Sequence, residues 1–86
     1  MTIDKFEKAK NLQLRIQKAE SRINFFEESA KALLEFQTLT GEITLRGITP
    51  KGEVSKSQEL TAEDFEILAK AYTSVRDLLR SEFQRL

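Results

Sequence analysis

Few residues in this chain carry side chains that could do chemistry, and their spacing decides little in favour of any reaction. Ser55, Ser57 and Ser74 are potential nucleophiles, but the sequence contains no His and no Cys. A Ser-His pair, a thiolate nucleophile, a zinc finger and haem ligation are therefore all excluded. Glu27, Glu28 and Glu35 place carboxylates on consecutive helical turns, a pattern that could hold Mg²⁺ or Ca²⁺ between helices. No Glu-x-x-His companion completes a di-iron set, and solubilising surface glutamates explain the three fully. Gly47-Ile48-Thr49-Pro50-Lys51-Gly52 has the glycine spacing of a phosphate loop. It lacks the Gly-Lys-Ser/Thr ending, and Pro50 removes an amide donor the cradle needs. The segment reads as a hairpin turn. The expectation is a non-enzymatic protein with no catalytic residue, no cofactor and no bound metal.

Charge offers one further candidate. Fourteen cations balance fourteen anions over 86 residues, so net charge points to neither nucleic acid nor anionic membrane. The distribution is less even. Lys5, Lys8, Lys10, Arg15, Lys18 and Arg22 stand against only Glu7 and Glu20. Lys8, Lys10, Arg15, Lys18 and Arg22 could contact phosphates, with binding that weakens as salt rises. No aromatic is interleaved for base stacking, and no helix-turn-helix or RNA-binding signature is present. A nucleic-acid role is the alternative reading, behind a solvated helix face.

The elements that must position these residues are set by a single cluster of breakers. Gly41, Gly47, Pro50 and Gly52 hold every Gly and Pro of the chain, and they divide it into two long segments and a short middle. Residues 4–39 carry apolar side chains at Ala9, Leu12, Ile16, Ala19, Ile23, Phe26, Ala30 and Leu33. The spacing alternates three and four, which makes a heptad seam on a helix of about 54 Å. Asp4 with Glu7 forms a capping box, with Thr2 as a rival cap. A break near Ser21–Asn24 is the main competitor, since those residues are modest helix formers.

Residues 42–58 read as a β-hairpin turning through Thr49-Pro50-Lys51-Gly52, with Gly52 in a left-handed bulge. In that register Thr49 opposes Glu53, Ile48 opposes Val54 and Arg46 opposes Lys56. A second bulge at Gly47 would then gather Ile43, Leu45, Ile48 and Val54 on one face. The Ile43–Leu45 strand is the edge more open to pairing between subunits, because Lys56 guards the other. Residues 62–85 form the last helix. Thr61 caps it with Asp64 three residues on, and Leu60 and Phe65 occupy staple positions. Phe65, Leu68, Tyr72, Val75 and Leu79 make its main stripe, widened by Ile67, Ala71 and Leu78.

The fold class is therefore α+β and mostly helical, α-β-β-α, in one domain over residues 1–86. The expected core comprises Phe26, Leu33, Phe36, Ile43, Leu45, Phe65, Leu68, Tyr72 and Leu79. Side by side, the helices leave about 18 Å of the first without an intrachain partner. Apolar residues surround the helix from Phe25 to Leu39, so the uncovered part is expected between Lys8 and Ile23. That exposes a seam of Ala9, Leu12, Ile16, Ala19, Ile23 and Phe26 to a second copy. A parallel coiled coil would match Arg15 with Glu20 and Arg22 with Glu27 across the interface. No stretch is apolar and long enough to span a membrane, no secretory segment opens the chain, and Cys is absent. The expectation is a cytoplasmic homo-oligomer, most simply a dimer, that acts by protein–protein interaction.

Overall fold

The computed structural model describes residues 2–86 and has the order α-β-β-α, 66% helical and 21% strand. Helix α1 runs Ile3–Glu35, strands β1 and β2 run Gly41–Thr49 and Gly52–Leu60, and helix α2 runs Ala62–Gln84. The Ser21–Asn24 stretch stays helical. Thr2 is the N-cap of α1, its hydroxyl accepting from the Lys5 amide at 3.2 Å, and Asp4 lies in the first turn. The rival cap is the one used. At α2 the capping box of Thr61 and Asp64 is complete, each side chain accepting from the other's backbone N–H. Helix α1 ends four residues before the expected Leu39. Phe36 is already extended, and 36–40 carry the chain from the helix end to the base of the hairpin.

The hairpin departs from the expected register by one residue. Thr49 pairs with Gly52, Ile48 with Glu53, Arg46 with Ser55 and Leu45 with Lys56 in an unbroken antiparallel ladder. The loop is Pro50-Lys51 alone. Gly52 has φ +120, the one positive φ among the described residues. Thr49 Oγ1 accepts from the Lys51 amide and donates to the Gly52 carbonyl, so the side chain closes the turn. The ladder has no bulge at Gly47. Strict alternation sets Ile43, Leu45, Val54 and Leu60 on one face, and leaves Ile48 on the other, 84% exposed. Apart from Ile48 that face is polar, with Thr44 and Ser57 hydroxyls 2.9 Å apart across the strands.

The paired ends of the hairpin dictate how the helices meet. Gly41 faces Leu60 in the ladder, so the chain leaves and re-enters the helical layer at one place. Helix α2 must then start beside the end of α1 and run back along it. Its 23 residues cover an equal length of α1, about 35 Å, which reaches Leu12. Phe26 stacks on Tyr72 at 5.7 Å between centroids and lies 5.9 Å from Phe65, and Glu20 accepts from Arg80 at 2.6 Å. The buried side chains among the described residues are Leu12, Ala19, Ile23 and Ala30 of α1 with Phe65, Ala69 and Leu79 of α2. All seven lie between the two helices.

Of the expected core, Phe65 and Leu79 are buried and Phe26, Leu33, Leu68 and Tyr72 half-buried. Phe36, Ile43 and Leu45 are exposed, because the hairpin extends away from the helices instead of wrapping them. The molecule is a flat plate with Cα extents of 52 × 39 × 13 Å. Gly41 is the hinge of this arrangement. A Cβ there would lie 2.5 Å from Phe65 Cε2 and 3.0 Å from Leu33 Cδ1, so only glycine lets the strand approach so closely.

Candidate functional site

The seam expected to meet a second copy is occupied within the chain. Leu12, Ala19 and Ile23 are buried, and Ala9, Ile16 and Phe26 half-buried, against α2. The premise that Ile16 and Ile23 lack intrachain cover is overturned. The part of α1 beyond α2 is its first two turns, carrying exposed Ile3 and Phe6. The flanking charges are redirected with the seam. Glu20 pairs with Arg80 of the same chain instead of an Arg15 across a dimer axis. The Arg22 guanidinium lies 5.4 Å above the Tyr72 ring, a cation–π arrangement.

The antiparallel pairing fixes what lies on each side of the plate. Glu20 and Arg80 mark one side of the seam. On the other side, the heptad positions of α1 are Lys8, Arg15 and Arg22, and those of α2 are Leu68, Val75 and Glu82. Helix α2 therefore carries a second apolar row, Leu68, Ala71, Val75 and Leu78, turned about a quarter of the way round from its buried seam. Val75 is 41% and Leu78 68% exposed, and Ala71 is exposed beside them. Phe25 of α1 is exposed at 62% on this side. It leads into a groove of about 300 Å³ at the hairpin base, lined by Phe25, Ala32, Leu33, Leu39, Gly41 and Phe65. The sequence placed Leu68 and Val75 of this row in the main α2 stripe, and Ala71 and Leu78 in its widening.

The second apolar region is the hairpin face of Ile43, Leu45 and Val54. The chemistry-bearing residues do not converge. Among the described residues, no group of three or more Asp or Glu is placed to hold a metal ion, Glu27, Glu28 and Glu35 included. Lys8, Lys10, Arg15, Lys18 and Arg22 are all exposed along α1. No helix among the described residues is long and apolar enough to cross a membrane. Compared with known proteins, the chain matches no family model, no curated protein and no solved structure.

Proposed function

We propose that this chain is a small, non-enzymatic, cytoplasmic assembly protein that works as a homo-oligomer, a dimer being the smallest closed form. One observation carries the reading. The protomer exposes 7289 Å², whereas a compact monomer of 9.9 kDa exposes roughly 5,200 Å². The excess of about 2,100 Å² exceeds the roughly 800 Å² that each partner contributes to a standard interface. Exposed large apolar side chains contribute to it, among them Phe25, Leu45, Ile67, Leu78 and Ile48. A soluble monomer rarely leaves large apolar patches in water. Association covers part of it, and the outer face of the helix pair takes over the role first expected of the α1 seam. The test is light scattering on a sizing column. Wild type should run at about twice the 9.9 kDa chain mass, with a melting temperature that rises with concentration. A monomer at high micromolar concentration would overturn the reading and leave the same faces to a different protein.

A second reading, a nucleic-acid accessory role, is favoured by the row of Lys8, Arg15 and Arg22, seven residues apart and exposed, with Lys10 and Lys18 nearby. Its test is a gel shift with duplex DNA and single-stranded RNA at low and at raised salt. A shift that fades as salt rises supports it. No shift at low salt removes it.

A further inference from the structure

We infer that a second copy of this chain seats on the outer row of α2, Leu68, Ala71, Val75 and Leu78, with the two α2 helices antiparallel across a two-fold axis near Val75. The inference rests on the homo-oligomer reading and says where and how the copies meet.

Three observations carry it. The first is the row itself. Its spacing is three, four, three, the repeat of a helix face that packs on another helix. The face of α2 toward α1 is already filled by Phe65, Ala69, Tyr72 and Leu79, so the row needs a helix from elsewhere. A helix with apolar rows on two sides belongs in a layer of at least three helices. This protomer has two. The second observation is area. The excess surface of the protomer is larger than its share of an ordinary dimer interface, so there is surface enough for one further copy to bury, with the hairpin faces left outside the contact.

The third observation is charge and size along the row, which choose the orientation. Asp64, Ala71, Leu78 and Arg85 stand seven residues apart on one side of α2. An antiparallel pair centred between Ser74 and Val75 sets each Asp64 against the Arg85 of the other copy. The same register sets each Ala71 against the other copy's Leu78, small against large, twice over. A parallel pair instead sets Asp64 on Asp64, Arg85 on Arg85 and Ala71 on Ala71. The acidic first turn of α2, Glu63 and Asp64, also meets the C-terminal end of its neighbour only in the antiparallel arrangement. An isologous contact of this kind is closed, using the same patch on both copies. Two helix pairs joined through α2 make a four-helix layer, with the hairpins at its opposite ends.

The absence of Cys makes the test clean. Val75→Cys sits next to the proposed axis, and mild oxidation should convert most of it to a covalent dimer, while Leu45→Cys on the hairpin should stay uncrosslinked. The double variant Val75→Glu with Leu78→Glu should run as a monomer with an unchanged far-UV circular dichroism spectrum, since both side chains are solvent-facing in the protomer. A wild-type dimer that crosslinks through Leu45→Cys and not Val75→Cys would overturn the inference and leave the homo-oligomer reading standing. A dimer that survives the double Glu substitution would do the same. A monomeric wild type would overturn both. If the Glu variant fails to fold, the crosslinking pair still decides.

Discussion

The helix pair and the hairpin both carry apolar rows, and the rows have opposite fates. In α1 and α2 the apolar residues recur at the helical repeat, and α2 lies along most of α1. Leu12, Ala19, Ile23, Phe65 and Leu79 are buried as a result. In the hairpin, Ile43, Leu45 and Val54 share a face, but nothing in the chain lies over most of it. Strand pairing satisfies the backbone and buries almost nothing. A two-stranded hairpin alone is marginal in water, so its stability depends on the turn, on its attachment at Gly41, and on whatever covers it. The chain thus divides into a part that stabilises itself and a part that is carried.

Substituting one apolar residue in each region tests that division with the largest effect. Ile23→Asp places a carboxylate in a site 5% exposed. The loss should reach about 3 kcal/mol or more, enough to unfold much of so small a protein in a urea titration. Leu45→Asp, at a site 66% exposed, should change stability by only about 0.5 kcal/mol or less. Equal losses would mean that the hairpin face is covered in solution, and the contrast between the regions would disappear.

The junction should respond next. Gly41→Ala adds a Cβ 2.5 Å from Phe65 Cε2 and 3.1 Å from the Leu60 carbonyl oxygen. Phe65 is 3% exposed and packed on Phe26, so the ring cannot swing clear. Overpacking of this kind costs about 1–3 kcal/mol, read as a lowered thermal midpoint of the helical signal. An unchanged midpoint would mean that the hairpin is tethered only by the chain.

The order of elements was legible because its signals are local. The Thr61–Asp64 capping box and the breaker cluster at 41–52 place two boundaries within a residue or two. The helical seam was legible too, residue by residue. Its partner was misread, for a reason of connectivity. A hairpin whose ends pair returns the chain to its starting point, so α2 covers α1 from Glu35 back toward Leu12. The sequence places Phe25–Leu39 under the hairpin and the last helix together, on composition alone, and so moves the uncovered part inward to Ile23. The hairpin register was missed by one residue because Pro50 and Gly52 suit both a two-residue and a three-residue loop. That single step decides whether Gly47 must bulge and which face Ile48 joins. The outer row of α2 carried its signal in Ala71 and Leu78, two residues that the buried seam does not need.

A smaller and more local effect should follow from Gly52→Val. Gly52 has φ +120 with nothing within 4 Å of a Cβ, so the penalty is one of backbone strain alone, about 1–2 kcal/mol. Because the hairpin is carried, the loss should appear as faster amide exchange over β1 and β2, with the helices protected as before. Lys51→Glu, in the same loop, should leave exchange unchanged. Equal loss of protection in both regions would show that turn and helix pair unfold as one unit, against the division drawn above.

The smallest effect concerns Glu20–Arg80, the one ion pair between the helices among the described residues. Glu20 and Arg80 meet at 2.6 Å, but their side chains are 41% and 50% exposed, so water and salt screen the attraction. Exposed pairs of this kind contribute about 0.2–1 kcal/mol. Arg80→Gln should therefore cost less than about 1 kcal/mol, and that loss should shrink further at raised salt. Its value lies in direction. The pair marks the side of the plate away from Leu68, Val75 and Leu78, so Arg80→Gln should leave the oligomeric state of the wild type unchanged on a sizing column. A variant that lost several kcal/mol, or changed its oligomeric state, would mean that Glu20 and Arg80 lie in a dry interface between copies. The self-sufficient helix pair would then itself depend on a second chain.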